Sequence, residues 1–269
     1  VGSEMCIRDR MKENPQAVAE KLQQLIEKVF VRKRMLISFT GEEGSYEKAS
    51  PIMQKYLEKL PEGTPAQAAI HPVLSKKNEG FTDASQIQYV ARAGNFISHG
   101  YAYHGTLKIL KMILSYEYLW MNIRVKGGAY GCMSGFKRNG ESYLVSYRDP
   151  HLKRTLDVYK GIPDYIRNFQ ADEREMTKYI IGTISGKDVP RTPQMKGSVS
   201  KTAYFCGVTE EMLQKERDQI LNASAEDIHA LAEIIEAVLA ADQICVVGSE
   251  SKVAEASDVL MEVKPLINC

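Results

Sequence analysis

The stretch GTLKILKMILSYEYLWMNIRVKGGAYGCMSGFKRNGESYLVS, residues 105–146, decides the fold of this chain. Its first part, as far as Arg124, is apolar on most sides at helical spacing, which predicts a central buried helix. Two strands are predicted after it, at residues 131–137 and 142–146. Between them lies Asn139-Gly140, a dipeptide that accepts positive φ at both turn positions and so predicts a β-hairpin. A long helix followed by a hairpin indicates an α+β fold, with helices on one face of a mostly antiparallel sheet.

The region before this stretch predicts helices and one short strand. Apolar residues recur at helical spacing from about Asn14, and Pro15 suits the first turn of a helix. Residues 35–39 (MLISF) predict a strand, and the next helix is expected to end near Leu60. Residues 1–10 show neither period and precede a methionine, so we expect them to be a non-native or disordered segment.

The composition between these regions predicts a boundary. Residues 61–80 are rich in Pro, Gly, Ala and Lys, and we interpret them as a linker between residues 11–60 and 81–269. The further elements predicted in the second region are a strand at Gln86–Ala91, helices starting at Asp149-Pro150, Asp172 (to about Ser185), Thr209 and Ser224, irregular chain over 186–205, a strand at Gln243–Gly248, and a last helix capped by Ser249.

Composition restricts the partners and the compartment. The 269 residues include 35 basic and 34 acidic side chains, a formal net charge of +1, so no field of one sign would attract nucleic acid or an anionic membrane. Five cysteines, without a C-x-x-C pair, argue against a disulfide framework and favour a reducing compartment. Because no signal peptide or long apolar segment is apparent, we expect a cytoplasmic protein.

The most distinctive local feature is RVKGGAYG, residues 124–131. The glycines, Gly127 and Gly128 among them, let a ligand approach the backbone without interference from Cβ atoms. Arg124 offers a planar set of donors suited to carbonyl or carboxylate oxygens, and Tyr130 offers a hydroxyl that can meet charge developing on an oxygen. The alternative is a helix C-cap followed by a bulge, with Arg124 merely solvated.

Other catalytic arrangements have weaker support. The histidines are His71, His99, His104, His151 and His229, and no H-E-x-x-H or H-x-x-E-H motif occurs. His99 and His104 leave open a weak metal pair, although ordinary loop histidines are the simpler interpretation. Cys132 follows the glycines, but nothing adjacent in sequence would lower the pKa of its thiol, and we interpret it as an apolar strand residue.

Several motifs in order along the chain resemble the C-terminal domain of presequence proteases, zinc metallopeptidases of the pitrilysin and insulinase superfamily. They are SQIQYVARAGN (85–95), RVKGGAYG (124–131), SYRDP (146–150), TLDVY (155–159) and IIGTI (180–184). The resemblance covers about residues 35–269. It implies the fold of the repeated domains of this superfamily, a layered sheet with helices on one face.

The resemblance also implies a function. Such enzymes enclose an unfolded peptide in a closing chamber, and their N-terminal half binds zinc through H-x-x-E-H. The C-terminal half contributes an arginine and a tyrosine, which correspond to Arg124 and Tyr130 and would hold the substrate and stabilise the tetrahedral intermediate. Without that zinc motif, this chain would be a C-terminal fragment, inactive alone, with residues 11–60 left from the preceding domain and 81–269 forming the last. Its expected partners are the peptide and the N-terminal catalytic half; the alternative is a non-catalytic peptide-binding or scaffold subunit.

Overall fold

The computed structural model describes residues 8–9, 11–63 and 75–266. The chain folds into two compact units. The first, here called the N-terminal unit, draws its described residues from Val1–Val73 and Arg191–Gly207, and the second, the sheet unit, from Leu74–Pro190 and Val208–Cys269. Arg191–Gly207 lies within the predicted range 81–269, but it belongs to the N-terminal unit.

Helices and strands alternate irregularly along the described chain. The helices are α1 (Pro15–Val29), α2 (Glu43–Glu58), α3 (Thr106–Ile113), α4 (Lys153–Lys160), α5 (Ile162–Arg167), α6 (Glu173–Ser185), α7 (Pro193–Cys206), α8 (Glu210–Leu221), α9 (Ala225–His229), α10 (Leu231–Ala240) and α11 (Glu250–Glu255). The strands are β1 (Glu79–Asp83), β2 (Gln88–Asn95), β3 (Gly131–Phe136), β4 (Glu141–Asp149), β5 (Gln243–Ser249) and β6 (Glu262–Pro265). Two π-helical segments, Leu114–Tyr118 and Trp120–Val125, extend α3.

The predicted start of α1 is confirmed. The Asn14 side chain accepts a hydrogen bond from the Ala17 N–H at 3.0 Å, and Pro15 occupies the first helical position.

The end of α2 is capped by a side chain that is distant in the sequence. Arg32 donates to the carbonyl oxygens of Leu57 and Glu58 at 3.0 and 2.9 Å, which satisfies acceptors that a helix end leaves without partners.

The strand predicted at residues 35–39 is wrong. These residues carry no strand assignment, and the apolar Leu36, Ile37 and Phe39 are exposed. A strand needs a neighbouring strand to pair its backbone N–H and C=O groups. The described residues of the N-terminal unit include no other strand, so the apolar run has no pairing partner there.

The irregular chain predicted at residues 186–205 is also wrong over most of its length, because α7 occupies Pro193–Cys206. Pro193 occupies the first helical position, where its missing N–H costs nothing. The Thr192 side chain accepts from the Met195 N–H at 3.3 Å, and Gly207 ends the helix in the left-handed conformation with φ +62°.

The sheet has six strands in the order β3-β4-β2-β5-β1-β6. The pairs β3–β4, β4–β2 and β2–β5 are antiparallel, whereas β1 runs parallel to both β5 and β6. The α+β fold predicted from the sequence is confirmed, and the antiparallel part contains the predicted strands. Strands β1 (EGFTD) and β6 (EVKP) were not predicted, because both are short and lack an alternating apolar pattern.

The predicted hairpin is confirmed with a different turn. The Gly140 N–H donates to the Lys137 oxygen at 2.9 Å, and the Lys137 N–H donates to the Glu141 oxygen at 2.8 Å. Gly140 has φ +86°, whereas Asn139 is not among the residues with positive φ. This is a turn with one left-handed glycine at its end, rather than the two-residue turn with positive φ at both positions.

The helices of the sheet unit cover one face of its sheet. Val90, Leu144, Ile244 and Val246 alternate with less buried residues along their strands and lie in the main core. The side chains of α3 that pack against them are fully buried, which confirms the predicted central helix; they include Leu107, Ile109, Leu110 and Ile113. The opposite face of the sheet remains partly exposed.

The helix predicted to begin at Asp149-Pro150 starts later, at Lys153. Asp149 ends β4, and its buried carboxylate accepts hydrogen bonds from the His151 N–H at 2.9 Å and the Thr155 hydroxyl at 2.6 Å. The carboxylate therefore organises the turn before α4 instead of capping its first residue. The side-chain caps predicted for the later helices are confirmed at Asp172, Thr209, Ser224 and Ser249.

None of the helices within residues 8–9, 11–63 and 75–266 has the length and apolar character needed to cross a bilayer.

Candidate functional site

Arg124 lies in a widened part of the central helix. The helix changes from α to π geometry at Leu114, and the segment Trp120–Val125 contains Arg124. The Lys126 N–H accordingly donates to the Met121 oxygen, five residues back, at 2.9 Å. Such π-helical turns occur frequently at functional sites, because the extra residue per turn re-aims the side chains that follow it.

Two glycines end this helix and turn the chain toward β3. The Gly128 N–H donates to the Arg124 oxygen at 2.8 Å, and the Ala129 N–H donates to the Ile123 oxygen at 3.1 Å. Gly128 has φ +75°, a conformation that other residues rarely adopt. At Gly127, a Cβ atom would lie 2.3 Å from the Ile123 oxygen, so no side chain fits. Both glycines are therefore required by the geometry of the helix end.

The Arg124 side chain is exposed but stacked. Its guanidinium carbon lies 4.1 Å from the centroid of the Trp120 ring and 5.9 Å from that of Tyr130. Cation–π contact with an indole stabilises a fixed side-chain position while leaving the N–H donors accessible. The glycine loop thus forms a helix C-cap, as the alternative interpretation has it, but Arg124 is not merely solvated.

Tyr130 lies on the far side of the glycine loop and is 58% exposed. Its N–H donates to the Arg148 oxygen at 3.2 Å, and its ring centroid is 5.6 Å from that of Tyr147. Among the described residues, the phenol oxygen has no hydrogen-bond partner. The structure therefore presents the guanidinium of Arg124 and the phenol of Tyr130 side by side, with their polar atoms available to a ligand.

Two further residues of this site were not assigned a role from the sequence. Trp120 is four residues before Arg124, a spacing that places both on one side of an ordinary helix and could have suggested their contact. Arg148 belongs to the motif SYRDP, yet nothing in that motif predicts its position near Tyr130. Its guanidinium carbon lies 5.6 Å from the Tyr130 ring centroid.

An apolar sheet surface continues from Tyr130. Tyr89 pairs with Tyr147, and Ala91 pairs with Val145, which also faces Met133 in β3. These residues point to the face that the helices leave uncovered, because side chains alternate along a strand. Tyr89 and Met133 are each 44% exposed. The arginine–tyrosine pair therefore lies at the border of an open, aromatic surface.

A buried carboxylate holds the other end of the hairpin. Glu216, on α8, is 4% exposed and accepts from the Tyr103 hydroxyl at 2.9 Å and from Arg138 and Lys187, and Lys108 lies 3.4 Å away. Burial disfavours its charged form, but the hydrogen bond from Lys187 and the charge of Lys108 outweigh burial, so the pKa of Glu216 lies below its usual value. The turn that contains Arg138 is thereby fixed to the helical layer.

The alternative catalytic residues do not form a site. Burial raises the pKa of the Cys132 thiol to about 11, despite the opposing charge of Arg124, so it is a poor nucleophile at neutral pH. The Nδ1 atom of His104 lies 2.7 Å from the Thr106 hydroxyl, and burial lowers the pKa of His104. His99 is exposed, and His71 lies outside the described residues.

Within the described parts of the chain, no group of three or more His, Cys, Asp or Glu side chains could hold a metal ion.

The fold matches that of a known class of domains. The crystal structure of an inactive M16 peptidase domain from Pseudomonas fluorescens matches 82% of this chain and 51% of that chain, with a TM-score of 0.52 and 17% sequence identity. The mixed sheet and its helices are therefore those of the domains found in M16 peptidases, the pitrilysin and insulinase group. An identity this low shows the fold and nothing further.

The sequence then identifies the family. The family model described as the PreP C-terminal domain matches residues 78–251, and the chain belongs to this family. Protein HypA of Clostridium perfringens is 42% identical over 250 residues, covering 93% of this chain and 26% of that protein. Presequence protease 1, chloroplastic/mitochondrial, of Arabidopsis thaliana is 32% identical over 235 residues, covering 86% and 22%. The predicted family is confirmed, and the chain spans about a quarter of the length of these relatives.

Proposed function

We propose that this chain is the C-terminal, substrate-binding part of a zinc metalloendopeptidase that degrades unstructured peptides inside a closing chamber. One observation carries the proposal: the exposed Arg124 guanidinium and Tyr130 ring lie 5.9 Å apart, in a member of the PreP C-terminal domain family. The proposed partners are an unstructured peptide and the N-terminal catalytic half of the same protein. That the chain spans only about a quarter of these relatives supports a role as one part of a larger enzyme.

Each side chain has a distinct proposed role. The planar guanidinium of Arg124 donates to a carbonyl or carboxylate oxygen of the peptide and holds its backbone in place. The Tyr130 hydroxyl donates to the oxygen on which charge develops during hydrolysis, where a fixed donor stabilises the transition state. Gly127 and Gly128 present backbone without side chains, so the peptide can approach the loop closely.

The proposed zinc belongs to the N-terminal half and not to this chain. Zinc is held by His, Cys, Asp or Glu side chains. Arg124 and Tyr130 are not of this kind, and the described residues contain no convergent set that is. The residues that the structure describes therefore do not fit a zinc site. Their contribution is to bind the peptide and, when the chamber closes, to exclude water from it.

We also propose a cytoplasmic location, because five cysteines without a C-x-x-C pair favour a reducing compartment. The Arabidopsis thaliana relative is named chloroplastic/mitochondrial. Cell fractionation followed by immunoblotting of the intact protein tests this part of the proposal.

The decisive experiment is Tyr130→Phe in the full-length protein. The variant loses one hydroxyl, and we expect kcat for an unstructured peptide to fall at least about tenfold, toward the hundred- to thousandfold loss typical of an oxyanion donor. Tyr116→Phe is the matched control, because Tyr116 is a 68% exposed tyrosine on the same helix, eight residues before Arg124. Its kcat should equal that of the unmodified protein.

The same experiment distinguishes the alternative function. A full-length protein that binds peptides without cleaving them would be a scaffold or peptide-binding subunit instead. If it cleaves peptides and Tyr130→Phe has an unchanged kcat, Tyr130 has no part in the reaction.

A further inference from the structure

A second arginine shares the site of Tyr130. The guanidinium carbon of Arg148 lies 5.6 Å from the Tyr130 ring centroid, as close as the 5.9 Å of Arg124. The Tyr130 N–H also donates to the Arg148 backbone oxygen, which ties the two residues together. Two cations therefore lie beside one phenol at the surface.

Neither guanidinium has a carboxylate or hydrogen-bond partner within residues 8–9, 11–63 and 75–266. The nearest carboxylate in sequence, Asp149, is buried, and its two oxygens already accept from the His151 N–H and the Thr155 hydroxyl. Two cations beside one phenol, both without a counter-ion, make a local positive potential that attracts an anion to this surface. A guanidinium also binds a carboxylate through two parallel N–H···O hydrogen bonds.

The backbone at Arg148 is strained in a way that directs the side chain. Arg148 has φ +50°, in the left-handed region that favours glycine. It is also the extra residue of a β-bulge, since Gln88 pairs with Asp149 and Tyr89 pairs with Tyr147. Bulges re-aim a side chain, and strain of this kind concentrates at functional sites. An arginine where glycine would be less strained suggests that its guanidinium is needed.

We propose that Arg148 is a second substrate-binding residue. It binds a carboxylate of the peptide together with Arg124; Arg124 precedes Tyr130 in the sequence and Arg148 follows it. The carboxylate is the C-terminus or an acidic side chain, which are chemically equivalent here. This inference rests on the proposed function, because it concerns how the same site selects its peptide. It adds a preference for anionic groups that Arg124 alone does not define.

The test uses the full-length protein and three matched unstructured peptides. The first carries one glutamate and a free C-terminus, the second has glutamine in place of the glutamate, and the third has an amidated C-terminus. The unmodified protein should cleave the first peptide with a kcat/KM about tenfold above that for whichever of the other two peptides lacks the recognised carboxylate. A hydrogen bond to a charged group contributes about that factor. The effect should lie mainly in KM, as expected for a contact made before the reaction.

Four variants separate recognition from folding. Arg148→Gln should reduce the tenfold preference to about twofold or less, and Arg148→Lys should retain part of it. Arg148→Gly should lose the preference while keeping or raising the melting temperature, because glycine adopts φ +50° without strain. Arg174→Gln removes an exposed arginine from α6 and should leave the preference intact.

Equal losses of kcat/KM for all three peptides in Arg148→Gln would overturn the inference, since Arg148 would then only position Tyr130. Absence of any preference in the unmodified protein would overturn it as well. If the protein cleaves none of the peptides, the proposed function fails. Binding of labelled peptides, measured by fluorescence anisotropy, then tests the carboxylate recognition independently of cleavage. Tighter binding of the carboxylate peptide, lost in Arg148→Gln, would support it; equal affinities would refute it.

Discussion

Replacing Glu216 with glutamine should destabilise the sheet unit markedly, although Glu216 lies outside the candidate site. The substitution keeps the shape of the side chain and removes its charge. The substitution would remove the carboxylate with which three basic side chains form ion pairs, those of Arg138, Lys187 and Lys108. The Tyr103 hydroxyl would then contact a neutral amide. Because these side chains come from a loop, the hairpin turn, the α3 helix and the chain after α6, one change weakens four connections at once.

The magnitude follows from burial. Removing one partner of a fully buried ion pair costs about 3–5 kcal/mol, because the remaining charge is left without compensation. Here the carboxylate is 4% exposed, but the side chains of Arg138, Lys187 and Lys108 are 25%, 21% and 42% exposed and can reach water. We therefore expect a loss of about 2–3 kcal/mol, below the fully buried range. For a unit of this size, that loss lowers the melting temperature by about 5–10 °C.

Urea unfolding followed by circular dichroism measures this loss, with Glu233→Gln as the control. Glu233 is an exposed carboxylate on α10, and its substitution should change the free energy of unfolding by less than about 0.5 kcal/mol. Since the folded pKa of Glu216 is lowered, its contribution is complete above the unfolded pKa and is lost as the pH falls through the folded value. The difference between the two proteins should therefore shrink in acid. A loss below about 0.5 kcal/mol at neutral pH would refute the reasoning.

Three further outcomes are expected. Arg124→Ala in the full-length protein should lower kcat/KM for an unstructured peptide by about tenfold or more, and kinetics equal to the unmodified protein would remove Arg124 from the site. Gly128→Ala should cost about 1–2 kcal/mol in urea unfolding and Gly128→Asn less, because φ is +75°; equal costs would contradict a conformational cause. At about pH 8, iodoacetamide should modify the exposed Cys206 long before Cys132, because burial raises the pKa of the Cys132 thiol to about 11. The modification of Cys132 should become faster as the pH rises toward the pKa of its thiol. Equal rates for the two cysteines, measured by mass spectrometry, would contradict the burial argument.

Features of the fold with a local cause were predictable from the sequence. The hairpin around Gly140 depends on a turn of a few residues, and the capping box of Asp172 and Glu175 depends on one helical turn. Strand β1 is different, because it pairs with β5 and β6 more than 160 residues away. Its sequence, EGFTD, carries no apolar alternation. Pairing with those distant strands, rather than a pattern of its own, decides its position in the sheet. The wrong strand at residues 35–39 is the converse case, an apolar run without a neighbour.

The candidate site was predictable in composition but not in geometry. The order of Arg124, two glycines and Tyr130 shows which groups are present, and the glycines explain why the helix ends there. The π-helical turn adds one residue between hydrogen-bonded partners, and a periodic apolar pattern does not record such an expansion. The stacking of Arg124 on Trp120 and the left-handed backbone of Arg148 both depend on packing that no motif encodes. Glu216 was overlooked for a related reason, because a charged residue on an amphipathic helix is normally exposed.

The two ends of the β3–β4 hairpin explain how an exposed site stays ordered. At the turn, Arg138 is bound by the buried Glu216, so the hairpin is attached to the helical layer far from the ligand groups. At the base, the backbone is left-handed at Gly128, which glycine tolerates, and at Arg148, where it is strained, and both bends bring side chains around Tyr130. Strained residues persist only where the surrounding structure determines their position, and the anchored turn and the paired strands provide that support. Loss of Glu216 should therefore reduce the order of Tyr130 and Arg148 as well as stability, although neither touches it. Arg138→Met should produce the same two effects to a smaller extent, because Lys187 and Lys108 would still neutralise the carboxylate.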